Sequence, residues 1–226
     1  MFKKIFSSAL FAGAAAGLIF ALLHLLFVQP VMLVAELYEF GDLVHFGGGT
    51  DADLGDIAIS GFDFKRDGLT IIFSVLVYVG FGLVLAAAMA LAEEQGAAFD
   101  LRRGMLWGAA GFVAVHLAPA LGLPPELPSA AAADIGIRQV WWFSTVGATV
   151  VALWLLAFSN GPVALIVAVV LLVAPHVIGA PHPGYYNGVQ PPELSGLYVA
   201  RTLGVNLAGW VVLGSLAAVF WNKEQS

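Results

Sequence analysis

An all-α integral membrane protein, about six transmembrane helices arranged as three helical hairpins, is the fold class this sequence predicts. Hydrophobic residues make up 60% of the 226 and charged residues 11%. The mean hydropathy of +0.92 is far above what a soluble domain keeps away from water. Six apolar stretches, roughly 5–28, 69–92, 104–121, 139–158, 162–178 and 199–221, use nearly all of the chain, so residues 1–226 read as one polytopic membrane domain.

The first stretch follows Met1-Phe2-Lys3-Lys4. It is longer than the apolar part of a signal peptide and lacks a small-x-small cleavage site, so it reads as an uncleaved span. Within it, Gly13-Ala14-Ala15-Ala16-Gly17 is a small-xxx-small face suited to close helix packing, as is Gly104-Met105-Leu106-Trp107-Gly108 in the third stretch.

An acidic external loop is expected over about 36–67, where eight acids and two bases sum to −6, the whole formal charge of the chain. Such a surface raises the local concentration of cations, although a solvated loop is an equally simple reading. Asp51-Ala52-Asp53-Leu54-Gly55-Asp56 is similar to the start of a calcium loop. Its glycine is displaced by one residue, however, and Phe62 stands where a bidentate glutamate is required. His45 beside Gly47-Gly48-Gly49 reads as a flexible exposed histidine.

Four-residue spacing puts Ser74 with Tyr78, Thr145 with Thr149, and Thr202 with Asn206 on shared helix faces, where they can hydrogen-bond across a bundle. Trp141, Trp142 and Trp221 near span ends fit an interfacial aromatic belt. Ser159-Asn160-Gly161-Pro162 joins the fourth and fifth stretches as a tight hairpin, with proline at the first position of the next helix. The fifth stretch is the shortest; if that turn stops short of the surface the count becomes five.

Lys3, Lys4, Arg102, Arg103 and Lys223 fall on one side and Lys65 and Arg66 in loops on the other, with Arg138 and Arg201 at span edges on that second side; this modest majority predicts that both termini are cytoplasmic. On that topology His24, His116 and His176 all lie within about two turns of the outer surface, each with proline close by in the sequence. Ionisable groups in spans are costly, and three at one depth suggest a shared polar layer. The simpler alternative is that each histidine separately satisfies a carbonyl freed by proline.

Leu123-Pro124-Pro125-Glu126-Leu127-Pro128-Ser129 and Gln190-Pro191-Pro192-Glu193-Leu194-Ser195-Gly196 share the string PPEL, each with a histidine before it and an arginine, Arg138 or Arg201, after it. Three degenerate outward-and-back hairpins, the first keeping His24, Gln29-Pro30 and Glu36, explain this pattern. Chance similarity between proline-rich loops is the alternative.

Imidazoles at span ends with glutamates just outside favour a borderline divalent transition ion, and four scattered methionines with no cysteine argue against soft cuprous ligation. The metal candidates are His24, His116 and His176 in the layer, with His182, Glu126 and Glu193 as outer ligands. His182, held between Pro181 and Pro183, can hand an ion to His176, or simply belong to a structured turn. No phosphate-binding glycine motif, dinucleotide fingerprint or nucleophile elbow is present, so neither nucleotide hydrolysis nor another enzymatic activity is expected of the chain alone. A subunit ligating haem or a chlorin through a span histidine, and a ligand-free structural or assembly subunit, are the alternatives.

The run HLAPALGLPPELP from His116 to Pro128, Arg138-Gln139-Val140-Trp141-Trp142, and Pro181-His182-Pro183-Gly184 resemble the CbtA family over essentially the whole chain. The resemblance implies the membrane subunit of a cobalt transporter in the bacterial cytoplasmic (inner) membrane, with cobalt as cargo for cobalamin synthesis. It also implies a small single-span, histidine-rich partner, CbtB, beside the lipid bilayer, and no nucleic acid. That family is described with five spans, against the six counted here.

Overall fold

The computed structural model describes residues 2–45, 61–128 and 130–223. Their regular structure is helical throughout, with no strand among the described residues. Helix α1 (Phe2–Leu23) continues through a π turn (His24–Val28) into α2 (Gln29–Phe40), and α3 (Phe64–Glu94) returns. Helix α4 (Leu101–Phe112) passes through a second π turn (Val113–Leu117) into the short α5 (Ala118–Ala120), followed by α6 (Ile135–Phe158), α7 (Pro162–Ile178) and α8 (Pro192–Lys223). Asp63, Asp100 and Asp134 accept the first backbone N–H groups of α3, α4 and α6. These aspartates cap donors that would otherwise be orphaned at the starts of those helices.

The membrane class is visible in the inverted surface. Phe73, Phe143 and Ile166 are each more than half exposed, whereas Ala9, Ala12, Ala16, Ala86, Ala217 and Ala218 are fully buried. Lipid tails are as apolar as leucine, so bulky side chains gain nothing by leaving them, and small residues that let backbones approach take the interior. Four helices, Lys4–Phe40, Phe64–Glu94, Ile135–Phe158 and Pro192–Lys223, are long and apolar enough to cross. Helix α7 has 17 residues, about 25 Å of rise, and α4 with α5 is interrupted by a π turn.

Glycine faces set the close approaches. A Cβ on Gly13 would lie 2.5 Å from Val79 Cα, and one on Gly17 would lie 2.7 Å from Val75 Cα, so α1 lies directly on α3. A Cβ on Gly104 would lie 2.5 Å from the carbonyl of Gly214, and one on Gly108 would overlap the carbonyl of Trp210, which brings α4 onto α8. Both small-xxx-small faces therefore pack as the sequence predicts. The principal contacts are α1 with α3 and α8, α4 with α8, and α6 with α7, so the helices do not pack as three successive hairpins. The last pair is a peripheral hairpin, with only Ala168 and Pro175 of α7 buried.

At one end of the bundle Lys4 Nζ pairs with Glu93 at 3.0 Å and lies 4.1 Å above the Trp221 ring. The Trp221 indole N–H donates to the same carboxylate at 3.2 Å. The opposite, proline-rich end holds the two PPEL loops against each other: Gln190 Nε2 donates to Pro128 O at 2.6 Å and Ala131 N–H to Asn187 O at 3.0 Å.

Several expectations are corrected. Thr145, Thr149 and Asn206 donate to carbonyls four residues earlier in their own helices, not across the bundle. A back-bond of that kind is always within reach, whereas a bond across the bundle needs a partner on the facing helix. Thr145→Val should therefore lower stability by no more than about 1 kcal/mol, because the carbonyl keeps its helical partner. Thermal melting in detergent checks this, and a larger loss would reveal a bond to a neighbouring helix. Trp141 and Trp221 are packed inward, 8% and 0% exposed, and their indoles tie helices together instead of forming a belt. The acidic segment is also shorter as a loop than expected, because α2 carries Glu36 and Glu39 and α3 carries Asp67. Asp51, Asp53 and Asp56 lie outside the described residues.

Candidate metal cargo site

Two of the three span histidines sit in the π turns, and the reason is local. Pro30 and Pro119 each follow a π turn by two residues. A proline ring inside a helix lacks an N–H and collides with the carbonyl four residues back, and one extra residue in the turn relieves that collision. The chain compensates with longer bonds: the N–H of Gln29 reaches His24 O, and the N–H of Ala118 reaches Val113 O. The proline association seen in the sequence is thus a backbone device that shifts the helical register at His24 and His116. His176 differs, following Pro175 in the last turn of α7. There the carbonyl of Pro175 accepts the Trp141 indole N–H at 3.2 Å, and Trp141 meets the His176 ring at 6.1 Å.

A buried polar cluster holds the first π turn. Gln29 Nε2 donates to Asp67 Oδ1 at 2.8 Å, Arg66 Nε donates to the same oxygen at 2.7 Å, and the N–H of Asp63 donates to Oδ2 at 2.8 Å. Asp67 is 2% exposed. Arg201 Nη1 from α8 donates to Phe27 O at 3.0 Å, so three elements converge on this turn.

A ladder of rings runs from His24 through Phe20, Tyr78 and Phe81 to His116, with successive centroids 5.8, 4.8, 5.7 and 6.0 Å apart. Trp210 of α8 closes it at 4.8 Å from Phe81 and 6.2 Å from His116. The ladder connects the two π turns through apolar faces, not through ligand atoms.

Beyond it, a cleft of about 510 Å³ opens between the second π turn, the start of α6 and α8, with His116, Glu126, Arg138, Gln139, Thr202 and Asn206 on its wall. His116 Nε2 is buried and has no hydrogen-bond partner, and the same holds for Ser8 Oγ, Tyr78 Oη and Trp210 Nε1 away from this cleft. Among these atoms only the imidazole nitrogen belongs to a residue on the cleft wall, where a group entering the cleft can satisfy it. Arg138 Nη2 donates to Glu126 Oε2 at 2.7 Å, and both side chains are partly exposed. A second cleft of about 490 Å³ between α3, α4 and α6 is apolar apart from Arg103.

The predicted ligands are only partly brought together. His116 and Glu126 share the cleft wall, whereas His24 and His176 do not line it. His182 is exposed beside Tyr186, 6.4 Å between rings, and Glu193 is exposed in the first turn of α8. Among the described residues no group of three or more histidine or acidic side chains is close enough to hold one metal ion. The two PPEL copies also diverge, since Glu126 lies outside any helix and pairs with its arginine while Glu193 is helical. Sequence reasoning passed over Arg138, Gln139, Thr202 and Asn206 as cleft residues. Their signal was polar character in the first two turns of α6 and midway along α8, and only the cleft that both helices line gives it meaning.

No curated protein and no solved structure matches this chain. The family described as "Probable cobalt transporter subunit (CbtA)" matches residues 2–222. With its helical membrane architecture and nearly its whole length covered by that match, the chain belongs to the CbtA family.

Proposed function

We propose that this chain is the membrane subunit through which cobalt, as a divalent transition-metal cargo, passes into the cytoplasm, and that the cargo meets the protein in the cleft at His116. The observation that carries this reading is the buried His116 Nε2 without a partner on the wall of an accessible cleft. A neutral imidazole nitrogen is a preferred donor for borderline divalent ions, and here no protein hydrogen bond must be broken to use it. Glu126 stands on the same wall. His182 and Glu193, exposed at the proline-rich end, gather the ion outside; His24 and His176 serve further along the same layer. A partner subunit completes the transporter, and a small single-span, histidine-rich chain suits that role.

Cobalt uptake into proteoliposomes tests this. His116→Ala should lower uptake about tenfold or more, the factor that about 1.4 kcal/mol of lost binding represents, with a smaller loss for His24→Ala or His176→Ala. Equal losses at all three positions, with double variants costing less than the product of the singles, would restore one shared ligand set. Unchanged uptake in His116→Ala would remove the reason for placing cargo in this cleft.

The inward direction requires both termini to be cytoplasmic, as the basic-residue bias favours. Single cysteines at Ala52 and Ser226 in this cysteine-free chain should label oppositely with an impermeant thiol reagent in intact cells. Equal labelling would reverse or abolish the assignment of the cleft to the outer side.

A further inference from the structure

Resting on the cobalt reading above, we infer that the cleft receives the metal as a complex with a small carboxylate chelator and not as the bare or hydrated ion. Three observations converge on this.

The first is donor supply. A divalent transition ion needs about four to six donors once its water is removed. Among the described residues the cleft wall offers one imidazole, His116, and one carboxylate, Glu126, and that carboxylate is already held by Arg138 at 2.7 Å. Thr202, Gln139 and Asn206 add only neutral, weak donors. Desolvating a dication against so few partners is strongly unfavourable, so donor supply excludes the bare ion and requires that the metal arrive with most of its coordination shell; the charge of the wall decides between water and a chelator.

The second is charge. Arg138 lines the cleft and uses one nitrogen on Glu126, so the pair is close to neutral and gives a dication no net attraction. The remaining N–H groups of Arg138 are donors only: they match a carboxylate through charge-assisted hydrogen bonds and mismatch a hydrated dication, whose waters present O–H donors outward. The third is size. A six-water shell occupies roughly 180 Å³ at about 30 Å³ per water, and the cleft holds about 510 Å³, within the range of small-molecule sites. The site therefore reads a chelate at two points: Arg138 takes a free carboxylate edge, and His116 Nε2 takes a position on the metal.

Equilibrium binding to the purified full-length chain tests this, with radiolabelled cobalt supplied either as the hydrated ion in a non-coordinating buffer or as its one-to-one citrate complex with carbon-labelled citrate. Cobalt and citrate should be retained together in equal amounts. Arg138→Gln should weaken retention of the complex about tenfold, the loss expected for one charge-assisted hydrogen bond. Glu126→Gln breaks the same ion pair but leaves the guanidinium, so it should retain citrate with its cobalt. Equal loss in both variants would make Arg138 a structural partner of Glu126 and overturn the inference. Retention of cobalt from the hydrated ion, with citrate stripping it away, would overturn the chelate and leave cobalt binding standing. Equal retention of metal-free citrate would make the cleft a plain anion site and overturn it too. Failure of the folded protein to retain cobalt in either form would remove the cobalt reading itself, and this inference with it.

Discussion

Gly108→Leu should prevent α4 from seating on α8. A Cβ at Gly108 already overlaps the carbonyl of Trp210 and lies 3.1 Å from Val211 Cα, so backbone and not a flexible side chain would have to move. Overpacking costs about 1–3 kcal/mol where side chains can yield, and the rigid contact here puts the expected loss at or above about 3 kcal/mol. The measurement is melting temperature and monodispersity in one detergent. Gly80→Leu serves as the control, because nothing lies within 4 Å of a Cβ there, and its stability should stay near that of the unaltered chain. Comparable stability of the two variants would show that the α4–α8 contact is not a close backbone approach.

Asp67→Ala should also lower stability, through a different mechanism. It leaves Gln29 Nε2, the Asp63 N–H and the Arg66 guanidinium without their common acceptor, next to the first π turn. Removing this shared acceptor costs about 1–3 kcal/mol, because Gln29 stays buried without its partner while the Arg66 side chain, about one-third exposed, regains water. Asp67→Asn retains one acceptor oxygen for Gln29 and should lose less. Thermal melting distinguishes the two, and equal stability of Asp67→Ala and the unaltered chain would mean that water replaces the carboxylate at no cost.

The helical membrane class, the positions of the six apolar segments and the two glycine faces were legible because each rests on local chemistry. Apolar length decides what can span, and a glycine repeat every four residues decides which face permits close approach. The aspartates that cap α3, α4 and α6 went unread in the sequence, although an N-cap bonds only within its own first turn. The common depth of the three histidines is an expectation from span topology. Sequence spacing places His24, His116 and His176 at similar heights in their segments, but says nothing about the rotation of those helices or their neighbours.

Proline near the histidines was read as a source of freed carbonyls, whereas packing resolved it into π turns at His24 and His116 and a tryptophan-bonded carbonyl at Pro175. The threonine pairs were placed correctly on one face, yet that face is satisfied by its own helix. PPEL similarity was read as the trace of repeated hairpins, whereas the structure shows the two loops hydrogen-bonded to each other. That similarity could not reveal that only Glu126 would be held in a cleft.

The sequence by itself determined the solvent of this protein, the extent of its helices and the faces on which they could meet, because these depend on neighbours within a few residues. The tertiary structure alone decided that α4 would lie on α8, that α6 and α7 would form a peripheral pair, and that His116, Glu126, Arg138 and Thr202 would wall one cleft. Those outcomes depend on which small-residue faces find each other across the chain. In lipid, where apolar burial favours no particular pairing, that choice is made by shape and by a few buried polar bonds.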